Sequence, residues 1–307
     1  MKSITHKMGC LYNNNIYIKR EDLLPFSFGG NKARKAKYFI SEFESGNYDC
    51  IVTYGSSSSN HCRIISNIAA SKGIDCYIIS PIEASKPTFN SKMMNLFHAT
   101  IIMAAVEDVH KIIEEKIIEL KNLGKKPYFI PGGGHNNLGT EAFVDCYYEI
   151  KEYEMENSIY FDYIFFASGT GTTHAGLVCG QILDEDKRKI IGISIARKNP
   201  RGRNIVIEGI KSYFENKFQK YEMETIEENT IFIDDYVESG YGIKTTEIED
   251  TIFEILTNFG IPLDPTYTGK AFNGMKKYIY KNNISNKNIL FIHTGGTPLM
   301  FDFLNKK

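Results

Sequence analysis

A lysine directly behind paired glycines, Lys32 in the run Phe28-Gly29-Gly30-Asn31-Lys32-Ala33-Arg34-Lys35, is the residue of this chain with the clearest chemical potential. A lysine amine becomes nucleophilic once burial or a neighbouring charge lowers its pKa, and glycines just before it leave room for a bulky ring. Far along the chain, the apolar run Tyr163-Ile164-Phe165-Phe166-Ala167 leads into Ser168-Gly169-Thr170-Gly171-Thr172-Thr173, and a helical pattern follows from Ala175. Strand, glycine-threonine loop and helix, in that order, present N–H groups and hydroxyls at a helix N-terminus, where the macrodipole favours a phosphate monoester. Together the two motifs imply Schiff-base chemistry on a phosphorylated aldehyde cofactor. Lys32 is the expected attachment point, and Gly169, Thr170, Gly171, Thr172 and Thr173 are the expected phosphate cradle.

Other readings of the loop fail on spacing. A dinucleotide fingerprint needs its third glycine earlier than Gly176 and an acid after the following strand, and neither is present. A nucleotide P-loop needs Gly-Lys-Ser or Gly-Lys-Thr, which is absent here. A plain glycine turn is the remaining alternative.

Three more segments carry polar groups where strands end. In Tyr54-Gly55-Ser56-Ser57-Ser58-Ser59-Asn60-His61-Cys62-Arg63, Asn60 is suited to donate to a phenolate oxygen and Ser59 to reach a substrate atom. Both also suit a helix N-cap. Near the C-terminus, Phe291-Ile292-His293-Thr294-Gly295-Gly296-Thr297 places Thr294 where it would meet a ring nitrogen. Tyr241, between Gly240 and Gly242, and Tyr267, in Leu263-Asp264-Pro265-Thr266-Tyr267-Thr268-Gly269-Lys270, are candidate acid-base or orienting groups. With 19 tyrosines in the chain, most must serve packing. The seven histidines show no H-x-x-x-H or Cys/His ligand spacing, so no metal is expected.

The elements that must position these residues are those of an α/β fold. Short β-rich runs at 15–19, 50–54, 75–80, 100–103, 127–130, 163–167, 190–195, 230–233 and 288–293 alternate with helical stretches, which predicts parallel sheets flanked by helices. Val109, Ile112, Ile113, Ile117 and Leu120 recur at helical spacing, as do Ile64, Ile65, Ile68 and Ala69, and both stripes read as core. The stretches 152–162 and 199–209 read as breaks or loops. The 307 residues, 42% hydrophobic, suffice for one large or two modest domains. A net charge of -1, from 36 basic and 37 acidic residues, gives no footprint for nucleic acid or an anionic membrane, so small-molecule partners are expected. No apolar run approaches the roughly 20 residues of a membrane span, and the N-terminus has no signal-peptide core, so a cytoplasmic protein is expected. The six cysteines form no C-x-x-C pair and read as reduced core residues.

As a set, these segments resemble the pyridoxal-phosphate enzymes of the tryptophan-synthase-β fold type (fold type II), and within them the group containing D-cysteine desulfhydrase and 1-aminocyclopropane-1-carboxylate deaminase. The resemblance spans nearly the whole chain. It implies two α/β domains with the cofactor between them: a large cofactor-binding domain of 1–33 and 146–307, and a small inserted domain of 34–145. It implies that Lys32 carries the cofactor, Asn60 contacts its 3' oxygen, 169–173 hold its phosphate and Thr294 faces its pyridine nitrogen. Ser59, Tyr241 and Tyr267 match positions lining the substrate side; Asn60, His61 and His135 join them as expected substrate-placing residues. Homodimers are common in the family. Cyclopropane-opening deaminases carry glutamate directly after the tyrosine matching Tyr267, whereas this chain has Thr268, which resembles the desulfhydrase branch. His135, in Pro131-Gly132-Gly133-Gly134-His135-Asn136, departs from the close desulfhydrase relatives. The expected reaction is α,β-elimination from a small amino acid to a keto acid and ammonia, with Lys32 as base and Ser59 or Tyr267 assisting. The alternatives are β-replacement, racemisation, the cyclopropane deaminase reaction, or a non-catalytic cofactor holder.

Overall fold

The computed structural model describes residues 1–237, 240, 242 and 245–305. Its strands are β1 (Ile4–Leu11), β2 (Asn14–Arg20), β3 (Cys50–Tyr54), β4 (Asp75–Pro81), β5 (Thr100–Ala104), β6 (Pro127–Ile130), β7 (Tyr163–Ser168), β8 (Lys189–Ser194), β9 (Ile231–Ile233) and β10 (Asn288–His293). Its helices are α1 (Asn31–Ser45), α2 (Asn60–Ser71), α3 (Phe89–Leu96), α4 (Val109–Asn122), α5 (Asn137–Asn157), α6 (Thr172–Leu183), α7 (Arg201–Asn216), α8 (Met223–Asn229), α9 (Thr246–Phe259), α10 (Thr268–Lys281) and α11 (Thr297–Leu304).

The strands form two sheets. A six-stranded sheet has the order β1-β2-β10-β7-β8-β9, and a four-stranded sheet the order β5-β4-β3-β6. Every pairing is parallel except the β1–β2 hairpin. Parallel sheets need cover on both faces, and the apolar runs supply it by period-two alternation. On β7, Ile164 and Phe166 point into a core shared with α5, α6 and α7, while Phe165 and Ala167 point into a second core built with α9 and α10. Leu290 and Ile292 on β10 join the first core; Ile289 and Phe291 join the second. The smaller sheet repeats the scheme, with Ile51 and Ile78 packing on α1 and α2, and Val52 and Ile79 packing toward α4. Val109, Ile113 and Leu120 of the α4 stripe and Ile64, Ile65, Ile68 and Ala69 of the α2 stripe are buried as read from the sequence.

Some expectations are corrected. β1 was not among the predicted strands: it is an edge strand with no fully buried position, so it lacks the apolar run that marked the others. The stretch 152–162 is not simply a break, because α5 continues to Asn157. Buried Glu154, bridged to Arg188 at 2.9 Å, lets a polar sequence remain helical there. Likewise 199–209 is mostly the first turns of α7, with Pro200 at its N-cap, where a missing N–H leaves no helical bond unmade. Cys10 is exposed; the other cysteines are buried, and all six are free thiols. No described helix is long and apolar enough to cross a membrane.

Candidate active site

The carboxyl ends of β3, β6, β7, β8 and β10 converge on one cavity of about 460 Å³, lined from both sheets, by the first residues of α1, α2 and α6, and by Tyr267 at the N-cap of α10. Parallel strands end this way because all their C-termini point to one side, where the loops are free to carry function. Lys32, Ser59, Asn60, His61, Gly169, Thr170, Gly171, Thr173, Tyr267 and Thr294, read from the sequence as site residues, all line it. Residues separated by more than 250 positions thus share one wall.

Lys32 enters at the first turn of α1. The turn before it is forced into place: Gly30 has φ of 101°, and a Cβ there would lie 2.9 Å from the Thr294 carbonyl oxygen and 3.2 Å from Gly295 Cα. The glycines therefore permit a back-to-back approach of the lysine turn and the end of β10, rather than clearing room for a ring. Asn31 ties three elements together, its backbone N–H donating to Thr294 O at 2.9 Å and its side chain to Thr173 Oγ1 at 3.1 Å. Lys32 Nζ donates to Gly133 O at 3.1 Å, and burial lowers its pKa from 10.5 to about 8. At pH 7 about a tenth of such a lysine is free amine, far more than for an exposed one.

The expected cradle lies at the N-terminus of α6, whose N-cap is Gly171 with φ of 94° and no side-chain cap on the first-turn amides. Beside Lys32 the structure adds a residue the sequence reading passed over. Lys35, one turn on, is buried with no hydrogen-bond partner for Nζ, and burial together with the Lys32 charge holds its pKa well below 10.5. The i, i+3 spacing that puts both lysines on one helix face was the available signal. An uncapped helix N-terminus whose amides and threonine hydroxyls border the cavity is what a phosphate monoester satisfies, so the residues fit a phosphorylated aldehyde.

On the opposite wall, Ser59 is the N-cap of α2, its Oγ accepting from Cys62 N at 3.1 Å. Capping therefore occupies the oxygen and leaves the hydroxyl proton for the cavity. His61 is buried, and Thr53 fixes its tautomer: Thr53 Oγ1 donates its only proton to Ile130 O at 2.7 Å, so His61 Nε2, 2.9 Å away, must be the donor. Burial, reinforced by Lys32 and Lys35, keeps this histidine neutral. Tyr267 sits at the N-cap of α10 in a turn organised by Asp264, which is fully buried. Its carboxylate accepts from the backbone N–H groups of Thr266, Tyr267 and Thr268 and from Thr268 Oγ1, at 2.8 to 3.0 Å.

Two expected residues lie elsewhere, and one is not described. Thr172 and His135 do not line the cavity; His135 Nδ1 and Thr172 Oγ1 meet at 2.7 Å behind it. Gly133 and Gly134, with φ of 70° and 64°, turn the chain so that Gly133 faces the cavity while His135 borders a separate cleft with Thr140 and Glu208. Tyr241 falls outside the described residues. Tyr54 and Arg197 also line the cavity, and Arg197 donates to Gly169 O. Tyr54 is the last residue of β3 and Arg197 follows β8; the sequence reading used the ends of β3, β7 and β10 but not that of β8.

A buried lysine of lowered pKa, an uncapped helix N-terminus and a cleft lined from two sheets fit an enzyme that works through a phosphorylated aldehyde. The chain belongs to the pyridoxal-phosphate dependent enzyme family, whose model matches residues 5–295. It is 32% identical over 302 residues to a D-cysteine desulfhydrase of Serratia proteamaculans (strain 568), covering 94% of this chain and 88% of that one. Among solved structures it is similar to an ACC deaminase homologue, with a TM-score of 0.89 and 29% identity over 100% of this chain and 93% of that one. A hydrogen sulfide-producing enzyme of Fusobacterium nucleatum, 18% identical, shares the fold at a TM-score of 0.66, covering 96% of this chain and 95% of that one.

The lowered pKa of Lys32 gives a direct expectation. Cofactor-free protein mixed with pyridoxal phosphate should acquire its visible band at a rate that rises with pH through a midpoint near 8, rather than near 10.5. A midpoint near 10.5 would mean that Lys32 is not desolvated.

Proposed function

We propose that this chain catalyses α,β-elimination from D-cysteine or a close analogue, releasing a keto acid, ammonia and sulfide. The observation that carries the reading is Lys32 Nζ, of lowered pKa, projecting into a cavity with an uncapped helix N-terminus on one side and Asn60 on the other. Pyridoxal phosphate, when bound, supplies the electron sink for a carbanion at Cα. Lys32 is the group that takes the Cα proton, with Tyr267 and the Ser59 hydroxyl orienting the amino acid from the far wall. Gly169, Thr170, Gly171 and the amides of Thr172 and Thr173 hold the phosphate, and Thr294 meets the ring nitrogen with a neutral hydroxyl.

The choice of desulfhydrase over cyclopropane-opening chemistry rests on Thr268. Its side chain is fully buried, Oγ1 donating to Asp264 Oδ1 at 2.8 Å and accepting from Asp264 N at 2.9 Å. It is turned away from the cavity and offers no acid or base to a ring. The curated relative from Serratia supports the same branch. We also propose a homodimeric cytoplasmic protein divided into 1–33 with 146–307 and 34–145. The separate four-stranded sheet, all of whose strands fall within 34–145, supports the division.

The test is to offer D-cysteine, L-cysteine, diaminopropionate and aminocyclopropane carboxylate in turn while assaying keto acid and sulfide. The expected result is keto acid and sulfide from D-cysteine and no keto acid from the cyclopropane substrate. A cofactor-loaded protein that releases no keto acid from any of them would overturn the reading.

A further inference from the structure

Behind Asn60 lies an arginine that no part of the proposed chemistry uses. Arg63, one turn along α2, is fully buried, yet burial alone moves its pKa, downward to about 10, with no carboxylate acting on it. Other buried guanidinium groups of this chain have acidic partners: Arg34 has Glu21, and Arg188 has Glu154 and Asp186. Arg63 instead donates from Nη1 to Asn60 Oδ1 at 2.8 Å and Asn90 Oδ1 at 2.9 Å, and from Nη2 to Gly29 O at 3.4 Å, while Nε has no partner. A buried, unneutralised guanidinium is expensive. Its partners are two side-chain amides and the lysine turn.

The hydrogen-bond directions leave one arrangement. Ser58 O can only accept, so the Asn90 atom 2.8 Å from it is Nδ2, and that same NH2 reaches Asn60 Oδ1 at 3.0 Å. Arg63 has only donors, so the Asn60 atom facing it is also Oδ1. Two independent donors hold the Asn60 carbonyl against the protein, which turns its NH2 toward the cavity. Without them an asparagine amide flips at little cost, and its oxygen would repel an anionic ligand atom.

We propose that Arg63 and Asn90 are positioning residues: they lock Asn60 with its NH2 toward the cavity and set a buried positive charge behind it, so that Asn60 stabilises an anionic oxygen of the ligand. This rests on the cofactor reading above, in which that oxygen is the phenolate of pyridoxal phosphate. A donor and a positive charge at the phenolate both favour the less protonated form of the bound cofactor, so they lower the pH at which its visible band changes.

The experiment is a spectrophotometric pH titration of holoenzyme for wild type, Asn60→Ala, Asn90→Leu and Arg63→Lys, with cofactor content measured by borohydride trapping. The titratable groups acting on His61, next to Asn60, are Lys32 and Lys35, and α3 contributes the neutral Asn90; the lysines are unchanged in every variant. Asn90→Leu and Asn60→Ala should each raise the midpoint by about one pH unit, the worth of a hydrogen bond to a charged group. Arg63→Lys keeps the charge but loses the fork, and should raise it less. In the Asn60→Ala background, Asn90→Leu should add nothing. A purely structural role would leave the midpoint alone and change only yield or stability. A wild-type band with an unchanged midpoint in folded, cofactor-loaded Asn90→Leu overturns the positioning role and leaves the cofactor reading intact. A wild type that never acquires a band with added pyridoxal phosphate overturns both.

Discussion

Lys32→Ala should lower turnover by about a thousandfold or more, because one substitution removes both the covalent tether and the proton-transferring base. No neighbour takes its place. Lys35 is nearest in sequence on the same helix face, but it does not line the cavity and its chain lies against Gly134 and the Phe143 ring. The variant should still bind pyridoxal phosphate noncovalently, since the amides of α6 and the Asn60 amide are untouched. The expected spectrum is therefore that of free aldehyde held by the protein, with no band fixed by borohydride. Turnover is measured as keto acid from D-cysteine, and added methylamine should restore a small fraction by supplying an external base. Near-native turnover would sink the assignment of Lys32 and with it the mechanism.

What the sequence made legible follows from how each signal is encoded. β7 and β10 are buried on both faces, so Tyr163-Ile164-Phe165-Phe166-Ala167 and Asn288-Ile289-Leu290-Phe291-Ile292 read as strands without knowledge of their neighbours. Lys32, Gly171 and Thr294 were legible because short local motifs at strand ends and helix starts carry them. β1 was not, since its order comes from pairing with β2 rather than from its own burial. Arg63, Asn90 and Asp264 were missed for the same reason at side-chain scale. Nothing beside Arg63 in sequence foretells that Asn90, 27 positions on, will meet it. Asp264 looks like an ordinary turn residue until its fourfold acceptor role under Tyr267 is seen. His135 failed in the opposite direction: neighbouring glycines made it resemble a cavity residue, and their left-handed turns carry it away.

The lysine turn is held by a buried ionic network, and breaking it should cost more stability than any other surface-silent change in this region. Arg34, on α1 just beyond Lys32, forks onto Glu21 with Nε–Oε2 at 2.6 Å and Nη2–Oε1 at 2.7 Å, and reaches Glu149 at 2.8 Å. Lys19 closes the set on Glu149, and Ser3 Oγ donates to Glu21 Oε1 at 2.7 Å. The same Glu21 accepts the Gly30 N–H on its backbone carbonyl at 2.7 Å, so one residue grips both ends of the turn. Arg34→Met leaves the Glu21 carboxylate buried without its fork, which should destabilise the protein by about 3–5 kcal/mol. Burial pushes the Glu21 pKa up, but the Arg34 charge and hydrogen bonds prevail and hold it below 4.5. A carboxylate depressed in the folded state contributes stability that is present above its unfolded pKa and lost as pH falls through the folded one. The gap between wild type and Arg34→Met should therefore be widest at high pH and narrow as the pH falls, beginning above 4.5, where the variant's burial-raised Glu21 takes up a proton, and ending below 4.5, where the wild-type Glu21 does so. Denaturant midpoints across that range provide the measurement, with Glu21→Gln/Arg34→Met as the double variant that removes both charges. The double variant should recover part of the loss, because the isolated buried charge, rather than the missing attraction, is the larger cost. A loss under about 1 kcal/mol in the single variant, or one that does not change with pH, would mean that water reaches Glu21 and that the Lys32 turn is held by its backbone hydrogen bonds rather than by the ionic network.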